Sequence, residues 1–436
     1  MKKTALVLAA AAFLASTGMA QNPPVLDAGA SDPVKMGWMQ GTPPPADKII
    51  GWEDGGYRTF PKTRWSFSNW RNFVQSVPLR RGTAPTHVFP RAERGDIDAI
   101  TFTPIGGDKQ MTWKDSLAAN YTDGIVVLHK GKIVYERYFG VTTAETQHIA
   151  YSVTKSFVGT LAAILIAEGK LDPEKRVADY VPELASSGFG DATVRQVMDM
   201  TTAIAFDENY TSTTSSIARY AVAGRAAPRP PGYDGPDGFL AFLPTIGKAG
   251  EHGERFTYRT ANTDALGWIV ARAGGAPLRD QLETRYWSKL GMQQDAAIQI
   301  DGQGTPFGGG GLMPTLRDMA RFGEMMRLGG TWQGKQIVPA AAIADILKGG
   351  GKAEFAKNGA YPTLPGWSYR NQWWVSHNDH GAYMARGIYG QAIYIDPKAK
   401  MVIARFASHP LAGNVNFDPT SLPAYHAVAR HLMGKT

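Results

Sequence analysis

The sequence predicts an α+β fold: an antiparallel β-sheet flanked by helices, with a mostly helical lobe inserted between its strands. Strand patterns cluster at about residues 120–150 and again at about 370–436, while apolar helical patterns fill about 151–350. Strands at both ends with helices between suggest one antiparallel sheet built from the two, with the helices forming a lobe. The chain has 436 residues, 43% hydrophobic, and no cysteine, so a large apolar core and not disulfides must hold it together.

The elements follow in order. Lys2 and Lys3 precede an apolar run from Ala5 to Leu14, and small residues lead to Met19-Ala20. This is the pattern of a secretory signal peptide over residues 1–20, cut after Ala20. The run is too short to span a bilayer. The expected location is therefore periplasmic or secreted, with no stable membrane insertion. Residues 21–98 are rich in Pro, Gly and Trp and read as an arm packed on the main domain, 99–436. Within the arm, Phe60 to Arg71 is aromatic and basic. Ser68 is expected to cap a short helix through Val77, and the aromatics are expected to pack more than to wall a pocket.

Ile125-Val126-Val127-Leu128 and Ile133 to Tyr138 flank His129-Lys130-Gly131-Lys132, a hairpin pattern. Matching strands are predicted at Gln372–Val375, Ala382–Ile395 and Met401–Ala407, with a closing helix over Pro423–Met433. Between them, Tyr151–Glu168 is an apolar helix ending at Gly169. Thr193 caps Val194–Met200. A loop-rich stretch covers Thr201–Gly247, and helices follow at Asn262–Arg272 and Leu316–Leu328. The formal charge is +8, but the basic residues are scattered, which describes a solvated surface and not a nucleic-acid site.

The chemistry centres on Ala150-Tyr151-Ser152-Val153-Thr154-Lys155-Ser156-Phe157. Ser152 and Lys155 are three apart, so on a helix they share a face. A serine hydroxyl is a poor nucleophile until a base takes its proton. A lysine serves as that base only when neutral, and both burial and a helix N-terminus favour the neutral form. The backbone N–H of Ser152 lies where an oxyanion could form. Rival nucleophile patterns are missing: there is no Gly-x-Ser-x-Gly and no cysteine. His377 and His380 lack further spaced ligands, so no metal site is read there. Glycines 308–311 are not followed by Gly-Lys-Ser/Thr and form no phosphate loop. Tyr258, just before a predicted buried helix, is a second candidate for proton transfer.

Together these residues resemble the serine β-lactamase and penicillin-binding-protein superfamily. The likeness is closest to the branch with class C β-lactamases, family VIII esterases and 6-aminohexanoate-oligomer hydrolases. It runs over about residues 120–436, through Ser152-Val153-Thr154-Lys155, Val194 to Thr202, Tyr258, Gly309-Gly310-Gly311-Leu312, and Ala385 to Gln391. The resemblance implies a serine β-lactamase/D,D-peptidase-like fold and an acyl-enzyme on Ser152. It implies general acid–base work shared by Lys155 and Tyr258, and an oxyanion hole of the Ser152 and Ile388 N–H groups. Tyr210, Gly387 and Tyr389 are implied to bind substrate. Ser, Lys and Tyr suffice for acyl transfer, so no metal or organic cofactor is implied.

The motifs also depart from the family. The second reads Tyr258-Arg259-Thr260, keeping a hydroxyl but losing the usual amide. The third reads Ala385-Arg386-Gly387 and lacks the Lys of penicillin-recognising members. Strand alternation predicts that Arg386 points to the other side. The expected substrate is thus a small-molecule ester or linear amide. A β-lactamase or D,D-peptidase acting on cell-wall peptides, and a non-catalytic penicillin-binding-like sensor, are the alternatives.

Overall fold

A computed structural model describes residues 25–434, so the signal-peptide pattern over 1–20 lies outside the described residues. The strands that position the site are β1 (Ser76–Leu79), β2 (Thr122–His129), β3 (Lys132–Tyr138), β4 (Ala296–Gln299), β5 (Leu312–Met313), β6 (Ser368–Arg370), β7 (Trp373–Val375), β8 (Tyr383–Arg386), β9 (Ala392–Asp396) and β10 (Met401–Ala407). The helices that matter here are α1 (Val153–Ala167), α2 (Val194–Met198), α3 (Ser216–Ala223), α4 (Thr260–Gly274), α5 (Leu316–Arg327) and α6 (Asp418–Leu432).

One seven-stranded antiparallel sheet runs in the order β6-β7-β8-β9-β10-β2-β3. The N-terminal hairpin joins the C-terminal strands where β2 pairs with β10, Val126 opposite Ala404. The unbroken run Ile125 to Leu128 explains itself in this setting. Ile125 and Val127 pack with Tyr425 and Val428 of α6, while Val126 and Leu128 pack with Phe157 of α1 and Phe322 of α5. Successive strand side chains face opposite ways, so a continuous apolar run marks a strand covered on both faces. Phe157 and Phe322 stack with ring centroids 3.7 Å apart, locking α1 to α5.

Three local expectations are corrected. Ser68 does not start a helix through Val77. It sits inside a 3-10 stretch (Phe67–Asn72), its hydroxyl bonds that of Thr142 at 2.8 Å, and Val77 lies in β1. Tertiary pairing of Ser76–Leu79 with β4 outweighs the local cap signal. The strand expected over Ala382–Ile395 is broken at Ile388–Gly390, where Tyr389 takes a φ of +62°. The stretch 201–247 also contains α3, capped by the Ser215 hydroxyl, which accepts from the Ala218 N–H.

Two attachments of the arm stand out. Strand β1 extends a small three-stranded sheet, β1-β4-β5, in the helical lobe. Arg64 is buried against the large sheet, donating to the Asp123 carboxylate at 2.6 Å, the Tyr121 carbonyl at 2.8 Å and the Ser408 hydroxyl at 3.0 Å. Removing one partner of such a pair leaves an unpaired charge in the interior. Arg64→Met is therefore expected to destabilise the protein by about 3 kcal/mol, read as a lower urea midpoint.

Candidate active site

The stretch around Ser152 is held from both sides. The Ala150 N–H donates to the Leu312 carbonyl of β5 at 2.9 Å. Tyr151 then takes a φ of +44°, a left-handed conformation uncommon outside glycine. That bend turns the chain into α1 and leaves Ser152 at the N-cap, 7% exposed. The Ser152 side chain makes no capping bond, so its hydroxyl is free for other work.

Lys155, one turn later, is 1% exposed. Its ammonium nitrogen reaches the Ser152 Oγ at 3.1 Å and the Thr260 Oγ1 at 3.2 Å, and it donates to the Gly309 carbonyl. Burial pushes its pKa down from the usual lysine value to about 8, against the opposing pull of Glu208 and Asp264. Asp264 completes the setting. Its buried carboxylate accepts from the Gly309 N–H at 3.0 Å and from the Tyr220 hydroxyl at 2.9 Å. Burial raises the Asp264 carboxyl well above the carboxylate range. Gly309 must be glycine: an added Cβ would lie 2.5 Å from Thr260 Cγ2 and 2.9 Å from Asp264 Oδ2.

Tyr258 packs on this pair from the sheet side. The Lys155 nitrogen lies 5.2 Å from its ring centroid, and Trp374 stacks behind it at 5.7 Å. Burial raises the Tyr258 phenol well above its usual value, with the Ser152 hydroxyl opposing. Thr260 opens α4, and its N–H donates to the Glu208 carboxylate, a charge suited to a helix N-terminus. Across the cleft, β8 ends and the chain passes through Gly387 into the turn at Ile388. A Cβ at Gly387 would meet the Ala150 carbonyl at 2.7 Å, so its glycine lets this strand end approach the stretch that carries Ser152. Among the described residues, neither the Ser152 nor the Ile388 N–H donates to a loop or turn carbonyl.

Ser152, Tyr210 and Ile388 line two adjoining clefts, so they sit at a junction. The first, about 860 Å³, is walled by Trp70 of the arm, Tyr151, Tyr220, Phe307 and Tyr389, with Arg58 of the arm also lining it. The second, about 980 Å³, is lined by Glu208, Tyr258, Arg259, Trp374, Arg386 and Gly387. All the residues singled out from the sequence thus border one region: Ser152, Tyr258, Tyr210, Gly387, Ile388 and Tyr389 directly, and Lys155 beneath Ser152.

Two expectations are refined. Arg386 takes the face opposite Ala385, as alternation predicts, but that face is not away from the site. Arg386 lines the second cleft, lies 4.9 Å over the Trp374 ring and pairs with buried Asp418 of α6. The strand ends at Arg386, and the α6 carboxylate draws its guanidinium. The arm aromatics do more than pack: Phe67 meets both Tyr151 and Tyr389 at 5.1 Å, and Trp70 lines the first cleft. Glu208, Asp264 and Arg58 went unnoticed in the sequence. For Asp264 the available signal was a lone carboxylate on an otherwise apolar helix face; Glu208 lies in irregular chain and Arg58 ends a single 3-10 turn, Gly56–Arg58, too short to show a period.

Comparison with known proteins agrees with this architecture. A family model described as Beta-lactamase matches residues 116–420. The 6-aminohexanoate-dimer hydrolase of Paenarthrobacter ureafaciens is 33% identical over 351 residues, 80% of this chain and 86% of that protein. A solved structure of a candidate 6-aminohexanoate-dimer hydrolase from Bacillus anthracis superposes with a TM-score of 0.80 at 31% identity, covering 90% of this chain and 99% of that one. A family VIII carboxylesterase shares the fold at a TM-score of 0.54 and 19% identity, over 73% of this chain and 96% of its own. With the match extending over most of the sheet and the helical lobe together, the chain belongs to the beta-lactamase family.

Proposed function

We propose that the protein is an exported serine hydrolase that cleaves a linear amide or an ester through an acyl-enzyme on Ser152. The observation that carries this reading is the buried Lys155 nitrogen 3.1 Å from the Ser152 hydroxyl, at the floor of an open cleft. The relatives named above, hydrolases of amides and esters, support the reaction class. Export rests on the Lys2 to Ala20 pattern.

In this mechanism the Ser152 Oγ attacks the substrate carbonyl carbon while neutral Lys155 takes its proton. Lysine is the base because burial lowers it, whereas burial holds Tyr258 protonated. The tetrahedral oxyanion is held by the Ser152 and Ile388 N–H groups. Tyr258 delivers a proton to the leaving nitrogen or oxygen and is reprotonated from the Lys155 ammonium. The C–N or C–O bond breaks, leaving the acyl ester. Water then attacks that ester, its proton passes to the same base, and Ser152 regains its hydrogen. Tyr210, at the junction, and Gly387 and Tyr389, beside Ile388, position the substrate.

The test is stoichiometric acylation. A short-chain p-nitrophenyl ester should release a burst of nitrophenol equal to the enzyme present, and mass spectrometry should place the acyl group on the peptide containing Ser152. Esters, linear amides and a chromogenic cephalosporin assayed side by side separate the readings. Fast turnover of the cephalosporin alone would favour the β-lactamase alternative, and inertness towards all of them the sensor. The pH profile is a further prediction. Only neutral Lys155 is active, so kcat/KM should rise with pH through an apparent pKa of about 8. It should not fall again below about pH 10, because Tyr258 keeps its proton.

A further inference from the structure

The cleft on the arm side of Ser152 has one charged side chain among its lining residues, Arg58. Otherwise its wall is apolar, aromatic or uncharged polar, with Trp70, Tyr151, Ile217, Phe307 and Tyr389 prominent. Arg58 is exposed, and its side chain makes a single long hydrogen bond, to the Ala226 carbonyl at 3.4 Å. It has no ion-pair partner among the described residues, whereas Arg386 in the other cleft is paired with Asp418. Its charge bears on the Tyr151 and Tyr389 phenols, so its field falls on the cleft wall. Its neighbour Tyr57 is fully buried and donates to the Ala226 carbonyl at 2.8 Å, which fixes the turn that carries the arginine. The other cleft holds charges of both signs, Glu208 with Arg259 and Arg386.

We propose that the arm-side cleft takes a substrate end bearing a carboxylate, held by Arg58, and rejects an end bearing an ammonium group. The inference rests on Ser152 as the acylated nucleophile and deepens that reading by orienting the substrate. A guanidinium matches a carboxylate with two parallel N–H donors. The largely apolar wall strengthens the attraction relative to open water. An ammonium group in the same place finds no carboxylate partner and meets a like charge, which is discrimination by repulsion. A chain with an amine at one end and a carboxylate at the other therefore lies with its acid end towards the arm. The N-terminal arm is then a specificity element of the site.

Two series of substrates test this. Hexanoyl-6-aminohexanoate, its carboxamide and the corresponding 1,6-diaminohexane amide vary the leaving end. Adipoyl, hexanoyl and 6-aminohexanoyl anilides vary the acyl end. In one series the wild-type kcat/KM should fall from carboxylate to neutral to ammonium by about tenfold per step. The spread should shrink as salt is raised, because Arg58 is exposed. Arg58→Glu should invert the order, and Arg58→Lys should keep it. Calorimetric Kd values of the same compounds for Ser152→Ala protein should show the same ranking without turnover. Ratios unchanged by Arg58→Glu in both series, and equal Kd values, would overturn the proposal. If the wild type hydrolyses nothing, the hydrolase reading falls, and the calorimetric ranking still decides the role of Arg58.

Discussion

Ser152→Ala is expected to lower kcat/KM by about 10⁵-fold on every substrate of the wild-type protein while leaving the fold intact. The size follows from what is removed. Without the Oγ no acyl-enzyme forms, and the remaining assistance comes only from binding and from the N–H groups of Ser152 and Ile388. The stability expectation follows from the N-cap. Ser152 makes no capping bond to the first turn of α1, so the helix does not depend on its hydroxyl. Lys155 keeps its bonds to Thr260 and the Gly309 carbonyl. An unchanged thermal midpoint with lost burst and lost acyl labelling would identify a chemical role. Residual activity within tenfold of wild type would remove Ser152 from the reaction.

Much of this site was legible in the sequence, because its parts depend on local spacing. Ser152 and Lys155 meet because three residues make nearly one helical turn. The hairpin of β2 and β3 and the burial of α1 follow from apolar runs that only one arrangement can cover. What stayed hidden depends on partners far away in the chain. Glu208 acts on Thr260, 52 positions on, and Asp264 on Gly309, 45 positions on. Arg386 sat in plain view, and period-two alternation places it rightly on the face opposite Ala385, with Met384; what alternation does not reveal is that this face also borders the second cleft. The strand stops at that residue, and Asp418 on α6, 32 positions later, sets where it points. Ser68 failed because a capping residue type is a local signal, and β-pairing with residues more than 200 positions away overrode it.

The two proposed oxyanion donors, Ser152 and Ile388, share a further physical feature. Tyr151 immediately precedes Ser152, Tyr389 immediately follows Ile388, and both have positive φ. Non-glycine residues in that region cost of order 1 kcal/mol each and persist only where surrounding packing fixes them. Here the packing is visible: the two rings lie 5.4 Å apart, and Phe67 of the arm touches both. The arm thus braces the bends that present the two N–H groups, besides supplying the wall of the first cleft.

Lys155→Met is expected to lower kcat by about 10³- to 10⁴-fold, the upper range for a group that moves a proton in the transition state. Methionine keeps most of the lysine volume, so α1 should still pack. Some stability is lost, because the Gly309 carbonyl and the Thr260 hydroxyl each lose a buried donor, at a cost of about 1–3 kcal/mol. Loss of rate alone would not separate a base from a structural prop; the pH profile does. In the wild type, burial lowers Lys155 to about 8, while the same burial raises Asp264, and each charge opposes the other's shift. Removing the amine removes the group whose deprotonation switches activity on. The residual kcat/KM of Lys155→Met should therefore lose the rise centred near pH 8. A variant that keeps the limb near pH 8 would show that another group takes the Ser152 proton. Asp264→Asn gives the opposite sign. It deletes a negative charge that favours the ammonium, so the Lys155 pKa should fall further and the limb should move to lower pH. Loss of the limb in one variant and its downward shift in the other would together identify Lys155 as the titrating base.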